Sequence, residues 1–329
     1  MIMEISDQRR HPYGLMQPYD IIGDIHGYAD VLEELLRKLG YEERSGSWRH
    51  PLGRKALFVG DYIDRGPSIR RTLRIVRGMV ETGAAMALLG NHEFNALCYH
   101  TPDGAGGFLR VHSDRNTAQH RETLDQFVLP YPEEWHSYLQ WFKDLPLFLD
   151  IEGLRVVHAS WDAKEIRLVR GRSFHDPDFL ELAATKETPE FEAVETLLKG
   201  PEIQLPDGRT CPDKEGTERR EIRVAWWQSP KRNKRLFYKD IAIPGAVSIP
   251  EATVPAEDVT SLPSYSRREP PVIFGHYWLA PHKPPQLLEH NAACVDYSVA
   301  TKGGFLTAYS WSGEKELKTE HFTVSDRLD

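Results

Sequence analysis

Residues 60–66 read "GDYIDRG" and directly follow the apolar run "ALFV" at 56–59. Asp61, Asp64 and Arg65 therefore stand at the end of a stretch with the composition of a buried strand. Charge in such a place is costly unless it is paired or bound to metal. Two units of the same design flank it. "YDII" (19–22) leads into "GDIHG" (23–27), and "AAMALL" (84–89) leads into "GNHE" (90–93). A helical pattern follows each turn. Val31, Leu32, Leu35, Leu36 and Leu39 recur at helical spacing before Gly40, and Ile69, Leu73, Val76 and Val80 mark one face of the next helix. "FNALCYH" (94–100) continues the third unit as helix. Strands alternating with helices predict an α/β chain whose functional loops lie at the carboxyl ends of the strands.

The pattern is interrupted and then returns. Residues 101–150 are rich in aromatic and polar side chains, with "PEEWHSYLQWFKDL" (132–145) an amphipathic helix. "LRVVHASWD" (154–162) and "PVIFGHYW" (271–278) again place a polar end on an apolar run. Between them come a helix near 191–199, an expected hairpin over 201–227 with Pro-Asp-Gly at its turn, and a proline-rich loop over 241–271. "AACVDYSVATKGGFLTAYSW" (292–311) reads as a closing hairpin turning at 302–304. Internal repeats and low-complexity tracts are absent.

Composition narrows the field. The chain has 329 residues, 27% of them charged, and a formal net charge of −8. That balance argues against bulk electrostatic binding of nucleic acid. The three cysteines, Cys98, Cys211 and Cys294, form no CxxC pair, so neither a disulfide framework nor a thiolate zinc site is expected. The first residues lack the apolar core of a signal peptide, and no apolar run reaches the ~18 residues of a membrane span. A soluble, cytoplasmic protein is the expectation.

Five strand ends now carry Asp24 and His26, Asp61 with Asp64 and Arg65, Asn91 with His92, His158, and His276. Each alone has a bland explanation as a turn device, helix cap or core histidine. Together they form a donor set of carboxylate, imidazole and amide oxygen that suits Mn²⁺, Fe or Zn²⁺. Six ligands exceed the need of one catalytic ion. Two ions about 3.5–4 Å apart, sharing a carboxylate, would use them all.

With these motifs in this order, the sequence resembles the calcineurin-like metallophosphoesterases, closest to the phosphoprotein phosphatase branch and its bacterial members. The resemblance implies an α/β (α+β) fold, a four-layer α/β/β/α sandwich of two mixed sheets flanked by helices. It also implies one catalytic domain over residues 1–329, with inserted cap segments at 100–150 and 163–270. Carried over by motif, Asp24 and His26 hold the first metal, Asp61 bridges both, and Asn91, His158 and His276 complete the second. Mn²⁺ is the expected ion, with Fe or Zn²⁺ as alternatives. His92 matches the acid that protonates the leaving oxygen, Asp64 the carboxylate that orients it, and Arg65 the grip on substrate phosphate. Hydrolysis is expected by direct attack of a hydroxide bridging the two ions. Arg223 is a candidate second phosphate-binding arginine, with Arg167 competing.

Substrate is harder to read. The motifs favour a phosphoserine or phosphothreonine protein or a small phosphomonoester. Two departures from the protein phosphatase pattern bear on substrate. Ala159 and Ser160 stand where protein phosphatases usually carry two glycines, as in some bacterial relatives. Residues 294–311 resemble the closing strands of symmetrical diadenosine tetraphosphatases, which favours a dinucleoside polyphosphate, as taken by bis(5'-nucleosyl)-tetraphosphatases. "KRNKR" (231–235) and the Trp226–Trp227 pair fit that second substrate, although a solvated loop and core packing are their ordinary roles. His100, His112, His120 and His136 are read as surface residues, and Glu93 as a brace for its turn. A non-catalytic binding module is the remaining alternative, disfavoured because every ligand and the acid are present.

Overall fold

Side chains alternate across a strand, and in this protein the alternation reveals the layers. The computed structural model describes residues 16–327 apart from 152, 213–217, 229–234, 244–248, 250, 256–257 and 260–261. In the strand Tyr19–Ile22, Ile21 packs with Leu57, Val156, Ile273 and Tyr309, whereas Ile22 packs in a separate cluster with Leu32, Leu36 and Phe58. The same division separates Leu57 from Phe58, Val156 from Val157, and Ile273 from Phe274. Ile21 and Leu57 share their cluster with Val156 and Ile273 of other strands, while the opposite-facing residues pack with helices, the pattern of two sheets packed face to face with helices outside.

The first sheet has six strands. Tyr19–Ile22, Lys55–Phe58 and Ala85–Ala87 run parallel, with Ile21 beside Leu57 and Leu57 beside Met86. Phe305–Trp311 pairs antiparallel to Tyr19–Ile22, and its far edge takes Asp296–Tyr297 and Phe322–Val324. The second sheet follows the order Ala292–Cys294, Val272–Phe274, Leu154–Val157, Phe148–Ile151, the first three parallel and the last antiparallel. Both sheets are mixed, as the expected sandwich requires.

The helices form where the apolar spacing places them. Ala29–Lys38 buries Val31, Leu32, Leu35 and Leu36, and Gly40 ends it at φ 88°, a left-handed value that glycine adopts without strain. Ile69–Glu81 buries Ile69, Leu73 and Val76, with Met79 taking the buried place expected of Val80. Pro132–Asp144 buries Trp135, Tyr138, Trp141 and Phe142. Among the described residues no helix is long and apolar enough to cross a membrane.

Two hairpins differ from expectation. Glu202–Gln204 pairs with Glu221–Arg223, and Cys211–Pro212 with Glu218–Arg219. The ladder thus continues past Pro206–Gly208, which makes a single 3₁₀ turn inside one arm and not the reversal. In the closing hairpin, Asp296–Tyr297 pairs with Phe305–Leu306 as expected, but Ala292–Cys294 belongs to the other sheet. The chain changes sheets at Val295. In "KRNKR", residues 231–234 lie outside the described residues.

Candidate metal centre

Five strand ends converge. Tyr19–Ile22, Lys55–Phe58 and Ala85–Ala87 deliver Asp24 and His26, Asp61, and Asn91; Leu154–Val157 and Val272–Phe274 of the second sheet deliver His158 and His276. Close approach of these turns depends on glycine. A Cβ on Gly60, at φ 114°, would stand 2.6 Å from the backbone of Gly90. One on Gly275 would stand 2.1 Å from Asp24 Oδ1. His26, Asp61, Asp64, Arg65 and His276 themselves take left-handed φ values of 49°, 55°, 65°, 66° and 71°. Such conformations cost about 1–3 kcal/mol each and persist where surroundings enforce them. Glu93 is part of that enforcement. Its buried carboxylate accepts the N–H groups of Asp61 and Tyr62 at 2.8 Å and of Gly90 at 3.1 Å, so it braces two turns at once.

Asp61 is the shared centre. His26 Nε2 lies 3.7 Å from its Oδ2, and His158 Nε2 lies 3.6 Å from its Oδ1. Two groups of potential ligands meet there: His26, Asp61 and His92, and Asp61, His158 and His276, with the ligand atoms of each within 4.8 Å of one another. Asn91 joins the second, its Oδ1 at 3.0 Å from His158 Nε2 and 2.8 Å from His276 Nδ1. Asp24 stands outside both groups, its carboxylate accepting the His276 N–H at 3.1 Å.

The protons say what the cluster lacks. His26 Nδ1 donates to the Ile63 carbonyl at 3.0 Å and His158 Nδ1 to the Val59 carbonyl at 2.9 Å. The opposite nitrogens therefore present lone pairs to carboxylate and amide oxygens, an arrangement that a cation satisfies. His26 Nε2 and His276 Nε2 are buried without a hydrogen-bond partner. Burial, with the neighbouring His92 charge, lowers the His26 pKa to about 3, which keeps the ring neutral as a ligand must be. Burial and the charges of Asp296 and Asp61 push Asp24 well above the usual carboxylate range, the signature of acids crowded around a missing positive charge. The residues fit divalent metal.

Beside the cluster, His92 Nδ1 donates to Asp64 Oδ2 at 2.6 Å, leaving Nε2 facing Asp61 Oδ2 at 3.9 Å. Burial opposes protonation of His92, but Asp61 and Asp64 outweigh it and raise its pKa. The other Asp64 oxygen receives His120 Nδ1 at 2.9 Å and Thr123 Oγ1 at 2.5 Å. Against burial, the hydrogen bonds from His120 and His92 hold Asp64 well below the usual range. His120 is thus corrected from surface residue to buried partner of the dyad. Its only sequence signal is a Thr three residues later on the same helical face, which tertiary packing alone makes meaningful.

Arg65 is exposed and stacks on the Trp278 ring at 4.0 Å. Asp296 anchors the turn that carries this ring by accepting the Trp278 backbone N–H at 2.6 Å. From here a cleft of about 750 Å³ opens, lined by Arg65, Arg110, Arg115, Lys199, Arg219, Arg220 and Arg223, with Glu195, Glu202, Glu218 and Glu221 among them. Arg223 is therefore on the cleft wall; Arg167 is exposed on the helix Ala163–Val169 and does not line it. Trp226 and Trp227 are 1% and 2% exposed against Phe274 and Tyr277, which excludes them as a stacking platform.

The sequence profile of the calcineurin-like phosphoesterases matches residues 18–240. The chain belongs to that family. By family it is a metallophosphoesterase, a hydrolase of phosphate esters. His276 lies beyond the matched stretch, and the fold returns it to the centre. The asymmetrical bis(5'-nucleosyl)-tetraphosphatase PrpE of Bacillus subtilis is 46% identical over 151 residues, 45% of this chain and 59% of that one. Its counterpart from Oceanobacillus iheyensis is 33% identical over 140 residues, 43% of this chain and 54% of the relative. The chain spans between about a third and three fifths of the curated relatives it matches. A protein serine/threonine phosphatase of Saccharomyces cerevisiae with similarity to human phosphatase PP5 superposes with a TM-score of 0.52 at 13% identity, covering 95% of this chain and 80% of that one. That likeness concerns the fold alone.

Proposed function

We propose that this chain is a two-metal hydrolase of dinucleoside polyphosphates. In this reading Asp24, His26 and Asp61 hold one divalent ion, and Asp61, Asn91, His158 and His276 the other. Mn²⁺ is the first choice, Fe or Zn²⁺ the alternatives. Bound there, two divalent ions neutralise phosphoryl charge and lower the pKa of water toward neutrality. The protein's own part is positioning and proton transfer, the main levers for phosphoryl transfer. His92, whose Nδ1 proton Asp64 accepts at 2.6 Å, gives its Nε2 proton to the leaving oxygen. Asp64 holds the ring by Nδ1, and His120 and Thr123 hold Asp64. Arg65, oriented over Trp278, offers paired donors to a phosphate.

The observation that carries the substrate reading is the cationic cleft. A single phosphoryl group needs one arginine or two, whereas seven cationic side chains line about 750 Å³ leading away from Asp61 and His92, interspersed with four glutamates of which Glu195 pairs with Lys199 and Glu202 with Arg223. A chain of phosphates matches that field. The names of the curated relatives support the dinucleotide better than the phosphoprotein reading. A non-catalytic module has no support in a site where the acid and its two-residue brace are assembled.

The test compares kcat/KM on diadenosine tetraphosphate and on a phosphothreonine peptide with Mn²⁺ present. The dinucleotide should win by more than about a hundredfold, roughly 2.7 kcal/mol of transition-state preference. A peptide that equals or beats it returns the assignment to the phosphoprotein phosphatases.

A further inference from the structure

No motif marks Arg110, yet it is the most deliberately placed cation on the cleft wall. Its Nη1 donates to Asn95 Oδ1 at 3.0 Å and its Nη2 to Gln119 Oε1 at 3.1 Å. Its backbone N–H is tied to the Cys98 carbonyl at 3.0 Å. Both side-chain partners are neutral amides, and among the described residues no carboxylate lies within ion-pairing distance of it. Several arginines elsewhere are ion-paired: Arg70 and Arg74 with Glu134, Arg71 with Asp30 and Glu33, Arg155 with Glu269. Arg110 is also half-buried, and that burial lowers its pKa. A partly desolvated guanidinium, steered by two amides and with the carboxylates of Glu195 and Asp64 acting on it only from beyond ion-pairing distance, is built to receive an anion.

Its position says which anion. Asn95 and the ligand Asn91 lie four residues apart on the helix Asn91–His100, so they share a face about 6 Å apart along the axis. Docked on Asn95, Arg110 stands one helical turn outward from Asn91, close enough for the Asp64 charge to act on it. Arg65 serves the phosphate at the metal centre; Arg110 faces the next position along the cleft.

We infer that Arg110, held by Asn95 and Gln119, grips the phosphate adjacent to the one being cleaved. The ligand class is a molecule with two or more consecutive phosphates. This rests on the dinucleotide reading, and its test can fail separately.

Inorganic tripolyphosphate and orthophosphate are compared as competitive inhibitors of p-nitrophenyl phosphate hydrolysis, with free Mn²⁺ held constant. Arg110→Ala should raise the Ki of tripolyphosphate about 10- to 100-fold, the usual worth of a hydrogen bond to a charged group. The rise for orthophosphate should be at least tenfold smaller. Equal rises for both would make Arg110 a structural residue, and no rise for either would remove it from the ligand's path; both overturn the inference. Should the alanine variant be unstable, Arg110→Gln removes the charge while keeping a hydrogen-bonding side chain. Tripolyphosphate binding that depends on Arg110, in a wild-type protein that does not cleave diadenosine tetraphosphate, would leave this subsite standing and sink the substrate reading alone.

Discussion

His92 meets a carboxylate at each ring nitrogen, and the two contacts divide its labour. Asp64 accepts the Nδ1 proton at 2.6 Å, while Nε2 is left toward Asp61 at 3.9 Å, the nitrogen that the proposed function assigns to the leaving oxygen. His92→Asn should therefore keep its metal by elemental analysis yet lose about 10²–10⁴ in turnover, the typical worth of a general acid. The loss should shrink for p-nitrophenyl phosphate, whose leaving group needs little protonation; an equal loss on alkyl phosphates would deny the role. His120→Ala acts one step further back. It removes one of two donors to Asp64 Oδ1 while Thr123 keeps its bond, so about a tenfold loss is expected from a removed charge-assisted hydrogen bond. That loss should show the same leaving-group dependence as in His92→Asn, which a merely structural defect would not reproduce. Asp61→Asn differs in kind. Removing the charge shared by both ligand groups should abolish metal and activity together, and full metal content with normal turnover would rule out a bridging Asp61.

At the scale of elements, legibility followed the distance between a residue and its partner in sequence. Asp24, Asp61, Asn91, His158 and His276 were readable because each sits at a fixed short offset from an apolar strand, and parallel strands bring such offsets to one edge. His120 was not readable. Its helix Asp114–Thr123 reaches Asp64 across 56 residues of chain, and nothing local in its pattern announces that packing. Arg110 escaped for the same reason, since its meaning comes from Asn95 and Gln119. The Pro-Asp-Gly turn misled because turn chemistry reports a local bend, and a bend can sit inside an arm whose ladder resumes beyond it. The tryptophans show composition deciding against chemistry. Trp226 lies beneath the hairpin, its Nε1 donating to the Ala159 carbonyl at 3.1 Å and the Tyr277 hydroxyl at 3.0 Å. Trp226→Ala should cost about 3–5 kcal/mol in urea unfolding, as large aromatic deletions in cores do. The relative preference among adenine, guanine and uracil dinucleotides should stay unchanged. A shift in base preference without loss of stability would restore the stacking role.

The whole molecule is tied together at its chemistry. We propose that residues 16–327 fold as one catalytic unit, because ligands from positions 24 to 276 reach a single centre from both sheets. The chain between Leu205 and Leu262 contributes as well, with a small apolar cluster of its own that includes Ile222, Val224 and Tyr238. Asp24, His26 and Asp61 follow strands of the first sheet, and His158 and His276 follow strands of the second, so cations held among them would join the two sheets. Metal should thus act as a clamp between the two sheets. A ligand present at a thousand times its Kd stabilises by about 4 kcal/mol. For a chain of this size each kcal/mol moves the midpoint by about 1–2 °C. Removing metal with EDTA should then lower the thermal midpoint by roughly 4–8 °C, with one cooperative transition before and after. Added Mn²⁺ should reverse the shift, and Asp61→Asn should unfold near the EDTA value and ignore the chelator. If instead two transitions appear and EDTA moves only one of them, the centre belongs to one part of the chain and the single-unit proposal fails. A single transition that EDTA leaves in place would show that the sheets hold without the clamp.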